Sequence, residues 1–419
     1  MAKLFKLNNL FKNYEWGSAA LIPWFLGKEN LIDNVTPWAE MWMGTHSGAP
    51  STHAHSSLSL GEIAGGELPF LFKLLAADKP LSIQAHPDKS QAEKGFLREN
   101  SASIALDAPW RSYKDPNHKP EILCALTPFT VMCGFRKPKE IFALLKEFVS
   151  APQSSMPQAV ALQAAIEPLL TALQSGGGAT ETNGAARAGG QLRAFFHALF
   201  NMTKTQRAGL GAFLADSMDA DRTISGEQWK FMRTFAAQYP EDPAVLSPLY
   251  LNLFTLESGQ AIFIPAGILH SYISGMALEL MTNSDNVIRG GLTPKHIDIP
   301  ELFNVLDFSP YMPQIFSPPS SPSWFRYPVP FNDFSLFFMR SDGEKKDFPK
   351  DGPAICIVTD GELYVCGMDN DGIDNAERHF KKGESFFIPR GASDASGAID
   401  ERGALLTFEG KFSLYAAAI

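Results

Sequence analysis

Cysteine is scarce in this chain. Cys124, Cys133, Cys356 and Cys366 are the only four in 419 residues, and no two stand in a C-x-x-C spacing. That argues against a disulfide framework or a thiolate metal cluster, and points to a reduced, cytoplasmic protein. Long apolar runs are missing as well. Nothing approaches the about 18 consecutive apolar residues that span a bilayer, and Met1-Ala2-Lys3-Leu4-Phe5-Lys6 opens without an apolar signal region. The expectation is a protein with no membrane association. Positive charge is in short supply, with 36 Lys and Arg against 45 Asp and Glu and a formal net charge of -9. Nucleic acid is therefore excluded as an expected partner, although a local basic cluster could still hold a small anion.

What is present suits a large globular protein of two or three domains. The chain holds 32 Phe, 30 Pro and 33 Gly, a composition that favours many short strands and turns. From about Lys139 to Pro248 the spacing becomes helical: Ile141, Leu144, Leu145 and Phe148 recur at three and four residues, as do Leu162, Ile166, Leu169, Leu170 and Leu173. Ser175 to Gly178, continuing to Gly189-Gly190, reads as a flexible linker within this helical insertion. His197 lies on an apolar helix and is expected to be packed there. Strand chemistry returns at Leu251. A Pro/Ser connector, Ser317 to Pro322, leads into a further strand-rich unit, in which Val358 to Leu363 reads as a strand and turn.

Chemistry-bearing residues concentrate in a few stretches. In Leu81-Ser82-Ile83-Gln84-Ala85-His86-Pro87-Asp88, strand alternation puts Leu81, Ile83 and Ala85 on one face and Ser82, Gln84 and His86 on the other. That second face is either a solvated sheet surface or the wall of a site. Asp88 stands where it could cap a short helix over Ser90 to Lys94. Lys73 interrupts the apolar strand Phe70 to Leu75, as an edge residue or as a charge facing a polar cavity. His118, Lys119 and Glu121 gather just before the apolar run Ile122 to Leu126, in a polar loop or in a site. Thr52-His53-Ala54-His55 has an H-x-H metal spacing, but its Gly, Pro and Ser neighbours read as an exposed loop. Glu279 alternates with Leu278 and Leu280, which turns it to the opposite face.

Gly259-Gln260-Ala261-Ile262-Phe263-Ile264-Pro265-Ala266-Gly267-Ile268-Leu269-His270 resembles the second cupin motif, G-x5-P-x-G-x2-H-x3-N, with Ser274 where Asn is usual. Further blocks accompany it: Tyr14-Glu15-Trp16-Gly17, Pro37-Trp38-Ala39-Glu40-Met41-Trp42, Leu81 to Asp88, Asn117 to Glu121, and Ser284-Asp285-Asn286-Val287-Ile288-Arg289-Gly290-Gly291-Leu292-Thr293-Pro294-Lys295. Together, and in this order, they resemble the type I phosphomannose isomerases. The resemblance implies a mainly β fold with a helical insertion, made of two cupin-type jelly-roll barrels plus an α-helical domain. The divisions expected are a discontinuous catalytic barrel over 1–138 and 249–308, the insertion over 139–248, and a C-terminal barrel over 309–419. Lys382 to Gly391 repeats the G-x5-P-x-G cadence there, but Ser393 and Asp394 follow instead of His. That barrel is expected to lack metal, with His379 on its surface.

Gln84, His86, Glu121 and His270 form the implied metal set, two nitrogen and two oxygen ligands that suit one Zn2+ in an open site. Spacing alone leaves manganese or iron open. The implied reaction interconverts D-mannose 6-phosphate and D-fructose 6-phosphate through a cis-enediol, with the metal as Lewis acid. Lys119 or Glu279 is expected to move the proton, with His118 or Asp285 aiding ring opening. Arg289 either holds phosphate or stabilises the enediolate; pairing with Asp285 is the structural alternative. Lys295, Ser82, Lys73 and Trp16 complete the expected substrate contacts. A cupin oxygenase and a non-catalytic sugar-binding bicupin are the rival readings, and Gln84 and the Arg289 to Lys295 block count against both. The expected partner is a small sugar phosphate, and the expected state a monomer or weak homo-oligomer.

Overall fold

The structure is a computed structural model, and it describes residues 4–150, 156–175, 184–216, 226–320, 324–348, 353–366, 378–389 and 407–419. Among these residues the strands make two sheets, one of 11 strands and one of 10, and most of the helix lies between Pro138 and Tyr250. The chain is thus mainly β with an inserted helical region.

One strand organises the first sheet. His270–Thr282 is 13 residues long. Its first half pairs with Ile83–Ala85 and Phe129–Phe135; its second half pairs with Phe70–Ala77 and Glu121–Ala125. Segments far apart in sequence therefore meet on one backbone. The sheet's alternation sorts the side chains. Phe70, Phe72 and Leu74 share an apolar cluster with Leu278 and Leu280, and with Ile355, Phe387 and Tyr415 of the second sheet. Lys73 and Glu279, exact register partners across the same two strands, are carried on the opposite face. Lys73 does not sit on an edge strand: Phe70–Ala77 has a neighbour on each side, so its ammonium is buried on the inner face.

The first strand departs from the expected divisions. Phe5–Asn8 pairs with Ser385–Ile388, and so belongs to the C-terminal sheet, together with Thr52–His53. Conversely, Ile315–Phe316 pairs with Ala261–Ile264 of the first sheet. The two sheets exchange strands because both present apolar faces to one shared core.

The inserted helices build a core in which Phe148, Leu169, Phe195, Phe213, Trp229 and Phe235 pack together, and which continues into Ile83, Met132 and Leu269 of the first sheet. Each such aromatic contributes about 1.5–3 kcal/mol by burial, which holds short helices that would be marginal alone. Gly189 and Gly190 are not linker: the helix Gly184–Phe200 includes them, while residues 176–183 lie outside the described set. His197 faces outward from that helix and bonds to Asn201 instead of entering the core. The helix capped by Asp88 runs through Lys89–Ser101, longer than expected, and carries a capping box with Gln91. Val358 to Leu363 contains no chain-reversing turn. It lies within the strand Ala354–Cys366, with a bulge between Val358 and Asp360. Ser393 and Asp394 lie outside the described residues. His379 is partly exposed and pairs with Glu362 at 2.6 Å.

Candidate functional site

His86, Glu121 and His270 converge inside the first sheet, with one ligand-capable atom from each within 4.8 Å of the others. All three are buried, Glu121 and His270 completely. Each arrives from a different strand or turn. His86 follows Ile83–Ala85, Glu121 begins Glu121–Ala125, and His270 begins the long central strand. The turn Pro265-Ala266-Gly267 is locked to the first of these by a hydrogen bond from Gly267 N to the His86 carbonyl, 2.8 Å. Gly267 has φ +78°, and a Cβ there would lie 2.9 Å from the Val305 carbonyl, so the turn requires glycine.

Both imidazoles are fixed in one tautomer. His86 Nδ1 donates to the Asn286 carbonyl at 2.7 Å, and His270 Nδ1 donates to the Ile268 carbonyl at 2.9 Å. A carbonyl only accepts, so both Nδ1 atoms carry the proton and both Nε2 atoms present lone pairs. Those lone pairs face the Glu121 carboxylate at 3.2 and 3.3 Å. His270 Nε2 is a buried acceptor without a donor. Burial, then the Lys119 charge, drive the His86 imidazolium form down to about 4. Burial pushes the Glu121 carboxyl up, but Lys119 and then His86 outweigh it and hold the carboxyl well below its usual range. Two neutral imidazole lone pairs and a carboxylate, oriented by backbone carbonyls, make a donor set that suits a divalent cation.

Lys119 supplies the positive charge the cluster needs. Its Nζ contacts Glu121 Oε1 and lies 3.2 Å from His86 Nε2. Gln84 stands opposite His270 in the strand register, half-buried on the same pair of strands. Beside this cluster runs a second buried charge group. Lys73 Nζ is 3.0 Å from Glu279 Oε2 and 3.6 Å from Glu40 Oε1. Burial raises the Glu279 carboxyl, and the Lys73 charge only partly offsets that.

Not every expected residue joins the centre. The His118 ring is 3.5 Å from Asp333, which lies between the C-terminal sheet's strands Phe325–Arg326 and Ser335–Asp342, and so is turned to a different partner from the cluster. His53 and His55 lie outside it too. Thr52–His53 is a two-residue strand on the C-terminal sheet, not a loop, and the His53 ring packs on His55 and Phe5. Arg289 does not pair with Asp285; its Nη1 donates to Ser82 Oγ at 3.2 Å. Lys295 is exposed, and the Arg289 charge adds to partial burial in lowering its pKa. Trp16 is half-buried against the apolar cluster around Leu75 and Leu123.

Several residues with no expected role hold the site. Tyr272 donates to Glu121 Oε2 at 3.0 Å, and strand alternation from His270 would have put it on the same face. Asn286 accepts from His86 through its backbone and donates through Nδ2 to the Asp115 and Asn117 carbonyls, both at 2.8 Å. Trp42 Nε1 donates to Glu40 Oε2 at 2.6 Å. The Trp42–Glu40 bond is local, between residues two apart on one strand, whereas nothing local in the sequence marks the Asn286 contacts, which are made between distant segments.

The similarities to known proteins run the length of this architecture. The family model for the phosphomannose isomerase type I catalytic domain matches residues 4–138. A mannose-6-phosphate isomerase of Escherichia coli (strain K12) is 36% identical over 405 residues, covering 91% of this chain and 94% of its own. That of Bos taurus is 31% identical over 401 residues, covering 86% and 88%. Among solved structures, an apo mannose 6-phosphate isomerase from Salmonella typhimurium superposes with a TM-score of 0.78 at 33% identity, covering 100% of this chain and 99% of that one. A zinc-bound mannose 6-phosphate isomerase gives the same score and identity over 99% of both chains.

Proposed function

This chain belongs to the type I phosphomannose isomerase family, and on that premise we propose that it interconverts D-mannose 6-phosphate and D-fructose 6-phosphate with one bound Zn2+. The observation that carries the reading is the pair of buried His Nε2 lone pairs facing Glu121, each fixed by a backbone carbonyl behind it. His86, Glu121 and His270 would hold the zinc, with Gln84 as a fourth ligand from the adjoining strand. When bound, zinc acts as a Lewis acid toward the sugar's C1 and C2 oxygens.

The remaining chemistry belongs to side chains. Lys119 and Glu279 lie on the same inner face, and proton transfer between C2 and C1 is assigned to them. Lys119 is beside the metal set; Glu279 is kept protonatable by burial. Asp285 accepts the anomeric hydroxyl proton as the sugar ring opens. His118 is given a lesser part, because its ring is engaged with Asp333. Arg289, Ser82 and Lys295 form the basic wall that takes the phosphate. Lys73 and Trp16 line the approach. Arg289 acting at the enediolate is the second assignment for that residue, supported by its partial burial.

The two sheets are read as two cupin-type jelly-roll barrels, a catalytic one over 1–138 and 249–308 and a C-terminal one over 309–419, with strand Phe5–Asn8 lent to the latter. Residues 139–248 form the helical domain between them. The assembly is read as a monomer or weak homo-oligomer in the cytoplasm. Neither an oxygenase nor a purely sugar-binding role is favoured by the relatives, which are isomerases by name. The test of the metal assignment is His270→Ala. The variant is expected to fold, to contain no zinc by elemental analysis and to have no turnover. Zinc content equal to the wild type would refute the ligand set.

A further inference from the structure

The segment Glu40–Gly48 meets residues of the proposed site at two places. At one, Glu40 is held by the Trp42 indole and in turn holds Lys73. At the other, His46 Nε2 lies 3.3 Å from Asp285 Oδ2. We propose that His46 is a positioning residue that acts through Asp285 when the sugar ring opens; the inference rests on the ring-opening role read for Asp285 above.

The two partners differ in exposure and in how they are held. The Asp285 side chain is 53% exposed, whereas the His46 side chain is 11% exposed. Asp285's backbone is pinned by its N–H to Asp115 Oδ2 at 2.8 Å, but that bond leaves the side-chain rotors free. The His46 ring is not free. Gly48 N donates to His46 Nδ1 at 3.0 Å, and the ring stands edge-on to Trp42 with centroids 5.0 Å apart. Because a backbone N–H only donates, Nδ1 is the acceptor and the proton resides on Nε2, aimed at Asp285. A rigid donor thus selects one orientation of a carboxylate that would otherwise sample several. The same hydrogen bond is the largest influence holding Asp285 ionised, ahead of the charges of Lys73 and Lys119. Those two ammoniums are near enough to Asp285 to add to the effect of His46.

Gly48 has a specific part in this. A Cβ at position 48 would lie 3.1 Å from His46 Nδ1 and 3.3 Å from its Cε1, so any larger residue displaces the ring. The step served is balanced without further reagents. The anomeric O–H proton passes to the Asp285 carboxylate while C1–O5 breaks and C1=O forms. O5 takes a proton from water, and Asp285 returns its own to water. Misaiming the acceptor slows ring opening while leaving phosphate and metal contacts untouched.

The test is steady-state kinetics of the zinc-loaded enzyme on mannose 6-phosphate, with and without deuterium at C2, for His46→Leu, His46→Gln and Gly48→Ala. His46→Leu is expected to lower kcat by about 10- to 100-fold, with KM changed less than about twofold and zinc content unchanged. The C2 deuterium effect on kcat is expected to shrink, because ring opening then limits the rate ahead of proton transfer. His46→Gln, which can still donate to Asp285, should recover most of the loss, and Gly48→Ala should show a weaker form of the defect. An unchanged kcat in His46→Leu, or a lowered kcat with an undiminished deuterium effect, overturns the inference. Absence of turnover in the wild type would instead refute the isomerase reading itself.

Discussion

Replacing Lys73 by Met should destabilise the protein strongly at pH 8 and much less at pH 5. Lys73 is 7% exposed and lies between two carboxylates, Glu279 at 3.0 Å and Glu40 at 3.6 Å, each nearly buried as well. Met keeps most of the volume and removes only the charge, which leaves two buried carboxylates facing each other. Removing one partner of a buried ion pair costs about 3–5 kcal/mol, and we expect that at pH 8. Protonation of Glu279 relieves the cost. Burial already raises that carboxyl above its ordinary value of 4.5, and loss of Lys73 raises it further. The folded variant then binds a proton that the unfolded chain releases. Stability therefore falls as pH rises from about 4.5 through the folded value, and returns as pH is lowered. The assay is urea unfolding of both proteins at pH 8 and pH 5, followed by tryptophan fluorescence. The double variant Lys73→Met/Glu279→Gln should regain more than half of the loss at pH 8, because the uncompensated charge is gone. A single variant as stable as the wild type at pH 8, or one whose deficit grows at pH 5, would refute the reasoning.

Lys295→Ala should raise KM for mannose 6-phosphate by about tenfold, the loss of one charged contact, with little change in kcat; an unchanged KM would remove Lys295 from the phosphate wall. His53→Ala/His55→Ala should keep full zinc content by elemental analysis and full kcat, since both rings pack against the C-terminal sheet away from the His86 cluster; a loss of zinc would contradict that.

The parts of the site legible in the sequence were those written in local spacing. The Q-x-H of Gln84 and His86 and the Pro265 to His270 turn each specify a strand, a turn and an inward-facing imidazole within a dozen residues. Asp88 announced its helix by the same local logic. Alternation assigns Glu279 to one face of its strand and leaves Lys73 open between a sheet edge and a polar cavity. Their pairing could not be read, because it depends on the register of strands 206 residues apart. His46, Glu40 and Asp115 were silent for that reason: each is ordinary in its own segment and becomes specific through a partner brought by the fold. The strand exchange between the two sheets was equally hidden, since Phe5–Asn8 reads like any short strand until Ser385–Ile388 pairs with it. His197 misled because an apolar helix has an outer face too, and the ring falls on it.

The most direct test is fructose 6-phosphate formation from mannose 6-phosphate by the purified protein, measured as isolated, after exhaustive chelation, and after one equivalent of Zn2+ is returned. The account predicts turnover in the first sample, its loss in the second and its recovery in the third, with one zinc bound per chain. Turnover that survives complete removal of metal, or a fully zinc-loaded protein that forms no fructose 6-phosphate, would contradict it.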